Sequence, residues 1–180
     1  MKRRYEKLEL SRRELQKLSA DAQRLSKQAI FSLQRGEEAE GVKRLEQALD
    51  ILKKAQKISQ SEIRLAGEGM WRSALEEAAE AVLFYRLVSG NELTTGTLLD
   101  DPSIVLGGLS DAIGELVRFA VRAATEGDIG RVEAISEEAE RLVEFLTSMD
   151  LTGGLRAKGD QARSHLRRLE DIRYDLSRRV

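Results

Sequence analysis

Four acidic residues stand at helical spacing in stretches that otherwise read as core. Glu77 and Glu80 lie in ALEEAAEAVLFYRLV, and Asp111 and Glu115 lie in GGLSDAIGELVRFAV. Residues three or four apart share a helix face, so each pair presents two carboxylates in one direction. Between residues 74 and 88, eleven of fifteen positions are apolar, the pattern of a helix buried nearly all round. A carboxylate in such a place is costly unless something cationic compensates it. Convergent carboxylates are also what a hard divalent cation requires, so a metal site is the sharpest chemistry the residues suggest.

Each pair has a plainer reading. Ile113, Leu116, Ala120 and Leu109 fall on the face opposite Asp111 and Glu115, so spacing alone reads that pair as solvent-facing. Arg118 and Arg122 share its polar stripe and would offset its charge. For Glu77 and Glu80, crowded by Ala81, Phe84 and Val88, the alternative is an acidic stripe at a subunit interface, paired with a neighbour's arginines.

Other chemistries find little support. His165 is the only histidine, and it lies among Arg163, Arg167 and Arg168, which reads as a surface or nucleic-acid-facing position. A di-iron bundle needs Glu-x-x-His pairs, and Ala162 occupies the position three before His165. Gly107-Gly108 and Gly153-Gly154 do not match a phosphate-binding loop followed by lysine. There is no cysteine, hence no disulfide and no thiolate metal site.

Helices must position these acids. Ser11 and Glu14 form a capping box that predicts the start of a first long helix, with Leu15, Leu18, Ala22, Leu25 and Ala29 on its seam and an end near Gly36. A second helix is expected from Glu38 into the sixties, with Val42, Leu45, Leu49, Leu52 and Ala55 inward, until Gly67 and Gly69 interrupt it. The apolar third helix is expected over about residues 70–88. After Gly90 comes a long loop, GNELTTGTLLDDPS, with room for one helical turn. Asp101-Pro102 predicts a helix start, and that helix carries Asp111 and Glu115 to Gly127. Two more helices are expected, over about residues 129–148 and from Gly153-Gly154 onward, the last with Ala162, Leu166, Leu169 and Leu176 on one seam.

Composition agrees. Charged residues make up 34% of the 180, aromatics only 4%, and Pro102 is the single proline. This is the profile of an all-α antiparallel bundle of about seven helices in one domain, residues 1–180. No apolar run approaches the roughly 20 residues of a membrane span, and MKRRYEKLEL lacks an apolar signal core, so a cytoplasmic protein is expected. The net charge of −1 hides segregation. Residues 1–35 carry ten basic and four acidic residues, and residues 155–180 carry eight and four, leaving twelve and twenty-three between them. Basic ends around an acidic centre suit a polyanion at the ends and cations at the centre, or helices attracting one another across the bundle.

The segment GGLSDAIGELVRFAVRAATEGDIGRVEAISEEAERL resembles the translin/TRAX family, whose members carry a G-x-x-D/A-x-x-(G/S)-E-L-x-R helix followed by a Gly-Asp turn. DIRYDLSRR resembles the family's closing stretch, LSKQAIFSLQR its first long helix, and Met70 to Arg72 (MWR) its third. The TRAX branch is a metal-dependent endoribonuclease. Its E-x-x-E-A-x-x-F helix matches Glu77, Glu80, Ala81 and Phe84, and its G-x-x-D-x-x-G-E-L helix matches Gly108, Asp111, Gly114, Glu115 and Leu116. The resemblance therefore implies that Glu77, Glu80, Asp111 and Glu115 are catalytic and hold Mg²⁺, with Mn²⁺ as a substitute. Translin lacks this acid set and serves as a nucleic-acid-binding partner. It also has a histidine-containing basic motif where this chain reads GEGMWR. The resemblance further implies a translin-like bundle assembled into a closed homo-oligomer, commonly an octamer. It would cleave mainly single-stranded RNA, or package RNA or single-stranded DNA without cutting. Arg72, Arg163, Arg167 and Arg168 are the expected contacts to the nucleic-acid backbone.

Overall fold

Helix α1 (Lys2–Gln34) opens the chain in the computed structural model, which describes residues 1–178. Five more α-helices follow among the described residues: α2 (Glu38–Ser61), α3 (Gly69–Ser89), α4 (Pro102–Glu126), α5 (Ile129–Thr147) and α6 (Gly153–Ser177). Two short 3₁₀ turns, Ile63–Leu65 and Gly96–Leu99, lie in the connections, the second inside the long loop. The fold is the all-helical bundle that the sequence predicts, with six α-helices among the described residues where about seven were expected.

The capping box at Ser11 and Glu14 starts nothing: α1 is already helical from Lys2. The residues before Ser11 are lysine, arginine, glutamate and leucine with one tyrosine, and none of these breaks a helix. Side chains at residues 11 and 14 are then simply mid-helix. The other boundaries follow local chemistry. At α4 the Asp101 side chain accepts a hydrogen bond from the Ser103 backbone N–H at 2.9 Å, and Pro102 occupies the first turn. Gly127 closes that helix in the left-handed region (φ 79°), where a side chain would be strained.

Tight turns make α1/α2, α4/α5 and α5/α6 antiparallel pairs. The twelve-residue segment between α3 and α4 does something else: it returns the chain so that α4 begins beside the beginning of α3. Arg72 bonds Asp101 and Ser103 at one end, and Phe84 meets Phe119 edge-on farther along, so these two helices run parallel. Cross-contacts from Gln34 to Glu115 and from Lys158 to Asp111 bring α1 and α6 into the same direction. Helices α1, α3, α4 and α6 thus run one way, and α2 and α5 the other.

The core has two parts. One gathers Leu15, Leu49, Leu52, Trp71, Leu75 and Ile104, and the other gathers Leu33, Phe84, Ile113, Leu116, Val132 and Leu169. Helix α3 passes from one into the other between Ala79 and Ala81, so Glu80 stands at the junction. Among the described residues, no helix is long and apolar enough to cross a membrane.

Candidate metal centre

The path of α4 along α3 is set by glycines. A Cβ on Gly108 would lie 2.6 Å from the backbone nitrogen of Glu80 and 2.7 Å from the Ala79 Cβ, so only glycine lets the two backbones meet there. Gly107 clears a second space, because a Cβ on it would lie 2.7 Å from the Glu76 Cδ. The consequence is that Glu77 and Glu80 on α3 face Asp111 and Glu115 on α4. All four are half-buried, with the side chains of Glu77 and Glu115 only 19% and 13% exposed. The Asp111/Glu115 face, which spacing alone reads as open to solvent, is covered instead by α1 and α6. A single-helix pattern cannot see those neighbours.

Each acid except Glu80 has a partner. Lys27 on α1 stands 3.6 Å from Glu77. Glu115 receives Gln34 Nε2 at 3.0 Å and Arg118 Nη1 at 3.0 Å, while the Gln34 amide also donates to the Glu115 carbonyl at 2.8 Å. Arg122, expected to share this task, turns to Glu126 and the Gln34 carbonyl. On α6, Lys158 donates to Asp111 and also pairs with Glu76. Glu80 pairs with no cation among the described residues. Burial, and then the charges of Glu77, Asp111 and Glu115, push its carboxyl up to about 8, against a smaller opposing pull from Lys158. Burial likewise raises the Glu77 carboxyl, with Lys27 opposing it. For Lys158, burial pulls the ammonium down, but its bonds to Asp111 and Glu76 outweigh this and leave it above its ordinary value.

Oxygen-only donors of this kind suit Mg²⁺ or Mn²⁺, and an ammonium already sits against one of them as a cation would. As the side chains stand, no three Asp, Glu or His groups among the described residues converge closely enough to hold a metal ion. Three of the four acids carry other partners: Lys158 pairs with Asp111 and Glu76, Gln34 and Arg118 bond Glu115, and Lys27 stands beside Glu77.

The expected basic residues are placed differently. Arg72 is held by Asp101 at 3.1 Å and Ser103 at 2.8 Å, binding the start of α3 to the cap of α4. Arg163, Arg167 and Arg168 are exposed on α6, where Arg163 pairs with Asp160 and Arg168 lies 3.9 Å from Asp171. Helical geometry puts Arg163 and Arg167 about 160° around α6 from His165, away from the acids. His165 itself is half-buried and packs against α4, its Nε2 3.0 Å from where a Gly114 Cβ would be. Sequence reasoning set His165 on the surface and passed over Glu76, Lys158, Lys27 and Gln34. A signal did exist: Lys158, Ala162, His165 and Leu169 share one seam of α6, and Glu76 lies one turn before Glu80.

Residues 105–180 match the Translin family model, a stretch that includes Asp111, Glu115, Lys158 and His165 but begins after Glu77 and Glu80. No curated protein sequence matches the chain. Several solved structures share its fold. The crystal structure of apo-NeC3PO superposes with a TM-score of 0.87 at 23% identity, covering 97% of this chain and 94% of that one. The crystal structure of AfC3PO gives 0.86 at 28% identity, with 98% and 94% covered. An AfC3PO–duplex RNA complex gives 0.87 at 28% identity over the same shares.

Proposed function

We propose that this chain binds RNA and cleaves it as a metal-dependent endoribonuclease, acting as a homo-oligomer in the cytoplasm. The observation behind this reading is the meeting of Glu77, Glu80, Asp111 and Glu115 across the glycine contact of α3 and α4, with Glu80 left unpaired. An acid so placed gains most from a cation. Likeness to AfC3PO along nearly the whole chain, and that protein's structure with duplex RNA, support RNA as the ligand class. Single-stranded RNA is the expected substrate, and single-stranded DNA a further ligand.

Those four acids would hold Mg²⁺ or Mn²⁺, with Glu77 and Asp111 giving up their lysines. When bound, such an ion lowers the pKa of a coordinated water and neutralises charge on phosphate oxygens. The chain's own residues account for the rest. With its carboxyl pushed up to about 8, Glu80 is mostly protonated near neutral pH, and a metal held there would take the place of that proton. Gln34 fixes Glu115 against α1 through both its carboxylate and its carbonyl. Gly108 holds the two acidic helices at one spacing, so that the carboxylates move by side-chain rotation on a fixed frame.

A second reading, an oligomer that packages RNA without cutting it, is favoured by the lysines and by the lack of three converging acids among the described residues. Incubating the purified protein with labelled single-stranded and duplex RNA, with and without Mg²⁺, separates the two. Cleavage should require Mg²⁺ or Mn²⁺, stop with EDTA, and fall at least about a hundredfold in Glu80→Gln, a hard ligand lost from the site. Equal cleavage by both proteins rules out these acids as the catalytic centre, and RNA binding without any cleavage rules out the nuclease in favour of packaging.

A further inference from the structure

Lys158 is bound to two carboxylates at once, one from each acidic helix. Because α6 runs parallel to α4, residue 158 lies level with residue 111, and the ammonium reaches Asp111 on α4 and Glu76 on α3. The lysine side chain is 30% exposed, so it works from a partly dry position. No other cation pairs with Asp111 among the described residues. The Glu76 carboxylate lies over Gly107, where a Cβ would come within 2.7 Å of its Cδ and 2.9 Å of its Oε1.

We propose that Lys158 is a tethered cation, which occupies Asp111 while the centre is metal-free and falls back on Glu76 when a divalent ion takes that carboxylate. This rests on the metal-centre reading above. Lys158 is a positioning residue, acting on an acid of the site. An ammonium offers three donors and one charge, enough to neutralise Asp111 and keep the metal-free acids from repelling one another. It cannot coordinate, and a divalent ion drawn to Asp111 competes with it for the charge of that carboxylate. Glu76 gives the displaced ammonium a partner, so no unpaired charge is left half-buried. Without Glu76 the lysine would depend wholly on Asp111 and compete harder.

Mn²⁺ alone, titrated into the full chain and followed by electron paramagnetic resonance, reads this without any cleavage assay. Lys158→Met keeps a stem of similar length and removes the charge, and should bind Mn²⁺ roughly tenfold or more tightly than wild type, since the competing charge is gone. Lys158→Arg restores a competing cation and should return affinity toward wild type. Glu76→Gln should weaken binding in the wild-type background and change it less than about threefold beside Lys158→Met, because its effect runs through the lysine. Equal affinity in wild type and Lys158→Met, with both folded by circular dichroism, overturns the tethered cation while leaving the metal centre standing. An equal loss from Glu76→Gln in both backgrounds overturns the fallback role of Glu76. Mn²⁺ binding by neither wild type nor Lys158→Met overturns the metal centre and the lysine's part in it together.

Discussion

Glu80 sits among Glu77, Asp111 and Glu115 with its carboxyl pushed up to about 8, first by burial and then by those neighbours. In the unfolded chain the same group titrates near 4.5. The folded state therefore binds one more proton between these values, and stability falls as pH rises through that window. Glutamine mimics the protonated acid. Glu80→Gln and wild type should thus unfold at nearly the same urea concentration at pH 5. By pH 9 the variant should be more stable by about 1–3 kcal/mol, allowing for partial solvent screening. A variant less stable than wild type at pH 9 would mean that Glu80 has an ionic partner and is not held against its neighbours. A carboxyl raised by burial and by like charges is a candidate functional group.

At the level of elements, the α1 seam shows what periodicity can and cannot tell. Leu15, Ala22 and Ala29 are buried as their spacing predicts, but the intervening seam positions belong to Ser19 and Ser26, with Leu18 and Leu25 only half-buried. Both serine hydroxyls are wholly buried without a hydrogen-bond partner. Small residues there let α1 lie close to its neighbours, and hydrophobicity scans favour the larger leucines one position away. Ser26→Ala should therefore raise stability by about 1 kcal/mol, since it removes an unsatisfied group and leaves no cavity of consequence. A drop in the urea midpoint would show that the hydroxyl has a partner after all. Gly108→Ala tests the opposite kind of crowding. Its Cβ would press on the Glu80 backbone, so a loss of about 1–3 kcal/mol is expected, together with displacement of Glu80 from its neighbours. Helix ends set by local chemistry, such as Asp101-Pro102 and Gly127, were legible from the chain alone. The start of α1 was not, because nothing before Ser11 breaks a helix. Nor were Lys158 and His165, whose importance arises only when α6 is laid along α4. The four acids were legible as pairs from spacing and as a set from family resemblance, while their partners required the packing.

Over the whole molecule, the charge segregation sorts by helix. Arg163 and Arg167 are exposed on the side of α6 turned away from the four acids, while Arg168 lies beside Val121 and Thr125 of α4. RNA affinity should fall steeply with salt as counterions are released, and reversing the charge of Arg167 and Arg168 together should flatten the log–log slope by roughly 2. An unchanged slope in a filter-binding series would place the RNA on another face. Large apolar side chains at Tyr5, Leu10, Phe31, Ile63 and Phe145 remain exposed on the single chain. Mass photometry at micromolar concentration should show a species well above dimer mass. The four like-directed helices have a last consequence, for the order in which the molecule is made. Chains emerge from the ribosome N-terminus first, and the residues around the centre arrive in the order Lys27, Glu76 to Glu80, Asp111 to Glu115, then Lys158. The acids are thus synthesised well before the ammonium that joins Glu76 to Asp111. A nascent chain ending near residue 130 holds every carboxylate of the centre and lacks that lysine, so Glu76 and Asp111 stand without their shared cation until α6 is released to lie across them.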